Sequence, residues 1–435
     1  MSLELVKEYL TEYAMYVNET RSTPSLDGFK AVQRRIFYTT YKIAKDKFVK
    51  TATVAGNVVA YYHPHGTASV EDAMIGMVRN NWIEGQGNWG SRTGLEEIKA
   101  AASRYTEVKF NEKLLWTMDL IKYADFTKSE IDYDEPAIIP TPIPIGLIGD
   151  LVNFPQPQQG IGIGIRVLIP MYKLSDLVSV IKSLAKEEKP NAPIPFVGKY
   201  YDVIEHESDR IFKTGVGRIK IRPQYTLEDK KLILHACSKN LLKLIQPWKD
   251  KLSVKDLSKP DVTHIIIEPK KYVRIDFESF VKELLKKLED TITFNTYVSV
   301  PLLNEPLVAR LSIEKWLKIQ FSYYIKVKQR YINDMIHKLS DSLAEARLIK
   351  ELRPYIIDYL KSTTKPTPDG FLQYLPDKFD KAIINTLIKK YSISKLLSID
   401  IDEEDIIKQL NSWKKIEDRI VDDALHELEM VLEDR

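Results

Sequence analysis

The chain has 435 residues, 44% hydrophobic and 29% charged, which excludes a disordered or fibrous protein and allows two to four domains. Its formal net charge of +3 is too small to indicate a nucleic-acid partner by itself. The single cysteine, Cys237, excludes an intramolecular disulfide and a zinc site built from several cysteines.

No targeting or membrane segment is evident in the sequence. The N-terminal stretch MSLELVKEYLTEYAMY lacks the apolar core of a signal peptide. Prolines and glycines interrupt the most apolar run, IIPTPIPIGLIGDLV, before it reaches the ~20 residues of a membrane helix. We therefore expect a soluble, cytoplasmic protein with no membrane partner.

The first predicted helical region is basic. Residues 21–50 carry eight basic and two acidic side chains, a local excess of six positive charges. The basic residues are Arg21, Lys30, Arg34, Arg35, Lys42, Lys45, Lys47 and Lys50. Such a region is typical of a surface that binds phosphates, and equally of a solvated helix face.

Two short helices are predicted next. TATVAGNVVAYYHPHG (51–66) indicates a helix ended by a turn, and TASVEDAMIGMVRNN (67–81) a second helix with Thr67 or Ser69 near its N-cap. This helix-turn-helix pattern is found in DNA-binding proteins and also in helical hairpins that bind nothing. His63 and His65 have no cysteine or carboxylate nearby in sequence, so contacts to DNA phosphates are favoured over a metal.

An arginine and a tyrosine follow a run of small residues in KAAASRYTEVK (99–109). A guanidinium beside the phenol of Tyr105 favours the reactive phenolate, and Arg104 can stabilise charge on a phosphoryl transition state. The small residues 100–103 leave room for a bulky polyanion. The preceding loop IEGQGNWGS (83–91) allows close backbone approach to a ligand, but no Gly-Lys-Ser/Thr follows it.

The rest of the chain is predicted to be scaffold. GIGIGIRVLIP (160–170) alternates like a β-strand, and the mixture of strands and helices up to about residue 310 indicates an α/β domain. From Pro306 to Pro354 there is no glycine or proline, and helical spacing predicts one helix of ~45 residues. A second such pattern runs from Ile406 to Leu432, so an antiparallel coiled coil or a helical bundle is expected.

The segment SIDIDEED (398–405) is the one acidic cluster of the sequence. Its residues Asp400 and Asp402 have the Asp-x-Asp spacing of some metal sites. They also lie just before the closing helix, where acidic side chains stabilise the N-terminus. Helix capping is the preferred interpretation.

Four motifs, in this order, resemble the breakage-reunion subunit of type IIA DNA topoisomerases, the gyrase A and topoisomerase IV A family. They are AMYVNETRSTPSLDGFKAVQRRIFY, YYHPHGTASVEDA, IEGQGNWGS and AAASRYTE. Among family members, the chain is most similar to the medium subunit of T-even-type phage topoisomerase. In place of the usual GLKPVHRR the chain has GFKAVQRR, which predicts an altered entry into the helix but not a loss of activity.

The resemblance implies roles for individual residues. Tyr105 matches the nucleophile that forms a 5′-phosphotyrosyl bond, Arg104 the transition-state stabiliser, and Arg21 the arginine that reaches the scissile phosphate. Ile161 matches the isoleucine that wedges between bases and bends the duplex. The positions that match or are assigned as DNA contacts are Lys30, Arg34, Arg35, His63, His65 and Ser69.

The resemblance also implies a multidomain α+β fold. A winged-helix head with the catalytic tyrosine is expected over residues 1–130 and an α/β tower that bends DNA over 131–305. Residues 306–361 and 402–435 are expected to form the antiparallel coiled-coil arm, and residues 362–401 a small helical dimerisation tip.

The implied activity is that of the cleaving subunit of an ATP-dependent enzyme. It acts on double-stranded DNA as a homodimer, relaxing and decatenating it. Mg²⁺ and ATP are expected on a gyrase B-like partner chain, in a heterotetramer or larger assembly, with no metal held by this chain. A phage origin would place the protein in the host cytoplasm. The alternatives are a catalytically silent DNA-binding protein on the same scaffold, and a helical spacer with no DNA affinity.

Overall fold

The computed structural model describes residues 3–238, 240–300, 308–399 and 402–433. The chain divides into two compact units, Met1–Val327 with Ala424–Arg435, and Lys328–Asp423. The expected domain boundaries at residues 305–306 and 401, and the predicted residue Asp400, lie outside the described residues. The finer division into four domains stays a prediction.

The helices are numbered in chain order. They are α1 (Leu3–Val17), α2 (Ala31–Ile43), α3 (Thr51–Tyr61), α4 (Thr67–Arg79), α5 (Leu174–Ala185), α6 (Ser208–Thr214), α7 (Leu241–Ile245), α8 (Phe277–Lys287), α9 (Ile313–Ser362), α10 (Pro368–Tyr374), α11 (Lys381–Tyr391), α12 (Ile393–Ser398), α13 (Glu403–Asp418) and α14 (Ile420–Glu433). A π-helical turn covers Asn18–Ser22. Short 3₁₀ turns cover Ser103–Tyr105, Glu112–Met118, Ile121–Tyr123, Ile145–Leu147 and Gln246–Trp248.

The strands are short. They are β1 (Val49–Lys50), β2 (Ile83–Gln86), β3 (Glu107–Phe110), β4 (Phe126–Lys128), β5 (Asp134–Pro136), β6 (Gln159–Ile161), β7 (Arg166–Leu168), β8 (Tyr201–His206), β9 (Val216–Pro223), β10 (Tyr225–Glu228), β11 (Lys231–Leu234), β12 (Leu252–Asp256), β13 (Ile265–Pro269), β14 (Asp290–Asn295), β15 (Tyr297–Ser299) and β16 (Val308–Arg310). The three larger sheets have the orders β1-β3-β2, β6-β7-β14-β9-β8 and β10-β11-β13-β12, and two hairpins pair β4 with β5 and β15 with β16.

Helices α2, α3 and α4 pack against the antiparallel sheet β1-β3-β2. Their shared core is aromatic, with the rings of Phe29 and Trp82 5.1 Å apart and those of Phe37 and Phe110 4.7 Å apart. Burial of these side chains is the main force that holds the helices to the sheet.

The two helices predicted over 51–81 are confirmed as α3 and α4. Thr67 and Ser69 lie in the first turn of α4, near its N-cap as predicted, but the cap residue itself is Gly66 and no side chain caps the helix. The Ser69 hydroxyl donates to the carbonyl of Gly66 at 2.9 Å instead of accepting from a free N–H.

The alternating segment 160–170 is not one strand. It forms the hairpin β6–β7, in which the backbone N–H of Gly162 donates to the carbonyl of Ile165 at 2.9 Å. The alternation is present on both sides of this turn, so periodicity alone could not reveal it. The predicted mixture of strands and helices from about 160 to 310 is confirmed.

The predicted long helix is confirmed as α9, which has 50 residues and is longer than expected because it continues through Pro354. A proline inside a helix removes one hydrogen bond and costs about 3 kcal/mol. Leu352 and Ile356, on either side of it, are fully buried in the core of the second unit, and their burial offsets that cost.

The second long helical pattern is interrupted. Helix α13 ends at Asp418, Arg419 leaves the helical conformation with φ −128° and ψ 34°, and α14 begins at Ile420. Neither glycine nor proline marks the break, which explains why the sequence pattern did not show it.

Asp402 caps α13 by accepting from the N–H of Asp405 at 3.0 Å, which confirms the capping interpretation for this residue.

Within the second unit, α9 and α13 pair in opposite directions. Tyr331 packs edge-on against Trp413 with ring centroids 5.3 Å apart. Further along α9, Lys350 pairs with Glu403 at 3.2 Å. Residues later in α9 therefore contact residues earlier in α13, as expected for an antiparallel pair.

None of the described helices combines the length and the apolar character needed to cross a membrane.

The turn before α2 is built around a buried carboxylate. Asp27 is fully buried and accepts from the backbone N–H groups of Phe29 and Ile139, both at 3.0 Å. The guanidinium of Arg34 pairs with it at 2.5 Å. Because a buried charge needs such partners, this carboxylate ties the start of α2 to the segment around Ile139.

Replacing Asp27 with Asn is expected to lower the free energy of unfolding by about 3 kcal/mol, since it leaves the Arg34 charge unpaired in a largely buried position. Urea denaturation followed by tryptophan fluorescence measures this, and the buried Trp316, whose indole donates to Leu26, reports from the same turn. Asp134→Asn is the control, because its ion pair with Lys128 is exposed to solvent and such pairs contribute little to stability. Equal losses in both variants would contradict the prediction.

Candidate functional site

Tyr105 is fixed in position by the strand that follows it. It ends the 3₁₀ turn Ser103–Tyr105 and precedes β3, the central strand of its sheet. The carbonyl of Thr106 accepts from the N–H of Thr51 at 3.1 Å, and the two threonine hydroxyls lie 2.9 Å apart. The backbone is therefore tied to the first residue of α3, while 64% of the Tyr105 side chain is exposed.

The guanidinium of Arg104 lies over the face of the Tyr105 ring. Its Cζ atom is 4.6 Å from the ring centroid, within the range of a cation–π interaction. Residues 100–103 have small, at least partly exposed side chains. The phenol and the cation therefore face solvent together, with little bulk before them in the chain.

The glycine-rich segment 83–91 packs against the backbone of this turn. Gly87 has a φ of +100°, and a Cβ atom there would lie 3.0 Å from the Tyr105 carbonyl oxygen. The N–H of Ala101 donates to the carbonyl of Asn88 at 2.8 Å. The segment thus packs against the backbone of the tyrosine turn. That its amides contact a ligand stays a prediction.

Arg35 lies at the centre of a buried charge network. Its guanidinium binds both carboxylate oxygens of Glu135, at 2.7 and 2.8 Å. Its Nη1 atom donates to Glu130 at 3.1 Å and lies 2.9 Å from Nδ1 of His63. Burial alone raises the pKa of Glu130, but the hydrogen bond and charge of Arg35 leave that pKa below its ordinary value. Arg35 therefore joins α2 to both the histidine turn and the hairpin β4–β5.

The same network fixes the state of His63. Burial lowers the pKa of His63 to about 4, and the charge of Arg35 adds to the decrease. The ring is therefore neutral near pH 7. Because a guanidinium can only donate, Nδ1 must accept, and the ring proton lies on Nε2. His63 thus offers an N–H donor on its side away from Arg35.

His63, His65 and Glu130 each offer a ligand-type atom, and these atoms lie within 4.8 Å of one another. His65 Nε2 is 3.1 Å from the Glu130 carboxylate. Arg35, however, uses the free lone pair of His63 and one oxygen of Glu130. A guanidinium already neutralises this cluster, so it is better described as an ion-pair network than as a metal site.

Arg21 lies on the exposed part of the π-helical turn Asn18–Ser22. Its guanidinium is 5.8 Å from the ring centroid of Tyr16, and its charge contributes to the low pKa of His63.

Ile161 is 86% exposed on β6. The Nζ atom of Lys30 donates to the carbonyl of Gln159 at 2.7 Å, and burial lowers the pKa of this lysine.

The basic region 21–50 has less free charge than its sequence indicates. Arg34 and Arg35 are paired with carboxylates, and Lys50 lies 2.7 Å from Glu107. The partners Glu107, Glu130 and Glu135 come from later segments, so the local charge count overstated the positive charge of this surface. That Arg34 and Arg35 contact DNA stays a prediction.

The contacts of the described residues place the predicted site residues in two groups. Arg104 and Tyr105 form the first. Arg35, His63 and His65 form the second, joined directly or through Glu130, and the charge of Arg21 acts on His63 without a direct contact. Ser69 lies exposed in the first turn of α4.

Sequence reasoning missed Glu130 and Glu135, which hold Arg35, and Asn18, which contacts the β6–β7 hairpin. No local signal marks the glutamates, since at least 65 residues separate them from the histidines and from α2. Asn18 could have been noticed, because it is the one amide side chain in the turn before Arg21.

Comparison with known proteins gives consistent results. The profile of the family described as the A subunit of DNA gyrase/topoisomerase IV matches residues 21–429. The DNA topoisomerase 4 A subunit of Pseudomonas aeruginosa is 30% identical over 54% of this chain and 32% of its own length. The DNA gyrase A subunit of Helicobacter pylori is 26% identical over 95% of this chain and 54% of its own length.

A third relative, the DNA topoisomerase 4 A subunit of Neisseria gonorrhoeae, is 27% identical over 82% of this chain and 53% of its own length. The chain thus spans between about one third and just over one half of these relatives. Because the family profile covers nearly all of the sequence, the chain belongs to the family of DNA gyrase and topoisomerase IV A subunits.

Proposed function

We propose that this chain is the DNA-cleaving and religating subunit of an ATP-dependent type IIA DNA topoisomerase. The family membership supports this proposal, and one structural observation carries it. The Tyr105 phenol is exposed, fixed at the end of a strand, and covered on one face by the Arg104 guanidinium.

In the proposed reaction the phenolic oxygen of Tyr105 attacks a DNA phosphorus. A bond forms between phosphorus and the tyrosine oxygen, and the bond from phosphorus to the 3′ oxygen breaks. The phenol loses its proton, and the departing 3′ oxygen gains one. One phosphodiester replaces another, so attack of the 3′ hydroxyl on the phosphotyrosine reseals the strand without an external energy source.

Charge on the phosphate oxygens is stabilised by groups from both parts of the site. Arg104 lies next to the nucleophile and can bind phosphate oxygens through two N–H groups. Arg21 adds a second exposed guanidinium, and the neutral His63 adds an Nε2–H donor. A phosphate reached by both groups of residues would be held by two charged donors and one neutral donor.

The remaining elements support DNA handling. We interpret α2–α4 with sheet β1-β3-β2 as a winged helix, the segment 131–305 as the tower, and the paired helices α9 and α13 as part of the arm. Ile161, exposed on its hairpin, is the proposed base wedge. A homodimer would place one Tyr105 on each strand of double-stranded DNA. The similarity to phage-encoded members stays a prediction.

Mg²⁺ is the metal expected for this family. It prefers several oxygen ligands, whereas the cluster of potential ligands found among the described residues contains two imidazoles and one carboxylate. The described residues therefore do not fit Mg²⁺, and none of them is assigned a step that involves it. We propose that a partner chain with an ATPase and an acidic metal-binding module supplies both Mg²⁺ and ATP.

Tyr105→Phe is expected to abolish covalent protein–DNA complexes, because it removes the attacking oxygen. The full chain, reconstituted with its ATPase partner, plasmid and Mg²⁺, is denatured with detergent, and protein bound to 5′ ends is counted. Tyr272→Phe, at a fully exposed tyrosine of the same unit, should cleave like the wild type. Undiminished cleavage by the Tyr105 variant would show that the nucleophile lies elsewhere. A wild-type complex that binds plasmid but never cleaves it would favour the catalytically silent alternative.

Arg104→Ala is expected to slow cleavage by roughly 100- to 1,000-fold, the usual effect of removing one preorganised donor from a transition state. DNA affinity should change far less, since the exposed guanidinium is one of many charges. Single-turnover cleavage and equilibrium binding measure the two effects separately. Arg210→Ala removes another exposed guanidinium and should leave the cleavage rate unchanged. Equal rates for the two variants would contradict the role of Arg104.

Arg21→Gln is expected to reduce the slope of log affinity against log salt by about one, because one phosphate contact is lost. Fluorescence anisotropy with a labelled duplex measures this slope on the chain alone. Lys338→Gln removes one exposed positive charge from the second unit and serves as the control. Identical slopes in both variants would remove Arg21 from the DNA contact, and no DNA affinity at all would favour a helical spacer.

A further inference from the structure

The outer edge of strand β6 is satisfied by side chains instead of by another strand. β6 is an edge strand of its five-stranded sheet, and on its inner side it pairs with β7. An unpaired strand edge exposes backbone carbonyl and N–H groups that need partners. In this chain the partners come from the segment around Arg21.

Alternate carbonyls, two on this edge and one in the turn that follows β6, accept from three side chains. The carbonyl of Gln159 accepts from Lys30 at 2.7 Å, and that of Ile161 accepts from the hydroxyl of Ser22 at 3.1 Å. The carbonyl of Ile163 accepts from the amide of Asn18 at 3.1 Å. The spacing of two residues is the period at which one strand edge presents its groups.

Asn18 makes the strongest of these contacts, because it bonds in both directions. Its Nδ2 atom donates to the Ile163 carbonyl, and its Oδ1 atom accepts from the Ile163 N–H at 2.8 Å. The side-chain amide thus replaces the backbone of a neighbouring strand. The opposite end of Asn18 is also fixed, since its carbonyl accepts from the N–H of Thr23 at 3.0 Å and the Thr23 hydroxyl at 2.9 Å.

The glycines of the hairpin make this close contact possible. A Cβ atom on Gly160 would overlap the carbonyl oxygen of Ser22. A Cβ atom on Gly162 would overlap Oδ1 of Asn18. Any side chain at either position would therefore push the hairpin away from the turn.

We propose that Asn18, with Ser22 and Lys30, is a clamp that fixes the Ile161 hairpin to the turn bearing Arg21. Asn18 is then a positioning residue: it sets the height of the Ile161 side chain relative to the guanidinium of Arg21. This inference rests on the proposed function, in which Ile161 enters the base stack and Arg21 binds a phosphate. It adds that Ile161 and Arg21 keep a fixed position relative to each other.

The test compares DNA bending with DNA affinity. A short duplex with a donor and an acceptor fluorophore at its ends reports bending, and 2-aminopurine at the wedged step reports unstacking. Asn18→Ala is expected to lower the ratio of bent to straight complexes roughly fivefold, the effect of losing about one net hydrogen bond. Its affinity for DNA should stay within about twofold of wild type, because no charge is lost. Asn333→Ala, in the second unit, removes an asparagine that accepts from Gln329 and should bend DNA normally.

A double variant separates the clamp from a general loss of structure. Gly162→Ala is expected to reduce bending on its own, because the new methyl group meets the Asn18 amide. In the Asn18→Ala background the same change should cost much less, since the amide is gone, and such non-additivity is the mark of a direct contact. Thermal unfolding at the wild-type midpoint shows that each variant is folded.

The outcomes distinguish the clamp from the proposed function. If the wild type bends DNA, Ile161→Ala does not, and Asn18→Ala bends like the wild type, the clamp is refuted while the wedge stands. Additive effects of Asn18→Ala and Gly162→Ala would also refute it. A wild type that binds DNA without bending it would overturn the proposed wedge, and the clamp with it.

Discussion

The part of the candidate site that contains the histidine turn depends on a buried guanidinium. Arg35 is 8% exposed and contacts two glutamates and one histidine from outside its own helix. A charge so deeply buried is tolerated only when it is paired. Its partners bring the histidine turn and the hairpin β4–β5 together beside α2. The proton of His63 on Nε2 and the low pKa of Glu130 follow from this pairing, and the charge of Arg35 adds to the effect of burial that keeps His63 neutral.

Part of this arrangement could be predicted from sequence, because it is local. Apolar spacing and the His-Pro-His turn predict α3 and α4, and the small residues before Arg104 predict room for a bulky polyanion beside Tyr105. The four motifs identify the family, and the family profile agrees with them. Local patterns of this kind report backbone preferences and amphipathic faces, and these survive in the folded protein.

Several features that the sequence did not predict depend on contacts between distant segments. The pairing of Arg35 with Glu135 spans 100 residues, so the basic region appeared freer than it is. The passage of α9 through Pro354 is stabilised by buried neighbours, and the break at Arg419 has no glycine or proline to mark it. In the hairpin within 160–170 the residue types alternate on both sides of the turn, so the pattern did not reveal the turn. Tertiary packing decides the first two of these features, and no residue type in the sequence marks the other two.

Short connections join several of the residues proposed to bind DNA. Ser22 and Asn18, in the turn that bears Arg21, bind the hairpin that bears Ile161, and the charge of Arg21 acts on His63, which is held by Arg35. Tyr105 and Arg104 are fixed separately, through β3 and the start of α3. A DNA duplex that contacts both parts would meet two preorganised surfaces, so little of its binding energy would be lost in ordering the protein.

The most direct test is to identify the residue joined to broken DNA. The reconstituted complex is trapped on plasmid with detergent, digested with protease and nuclease, and the nucleotide-linked peptide is sequenced by mass spectrometry. We expect a single adduct, a 5′ phosphate on the oxygen of Tyr105 within the peptide that contains Arg104. An adduct on another residue, or a 3′ linkage, would contradict the assignment of Tyr105 as the nucleophile.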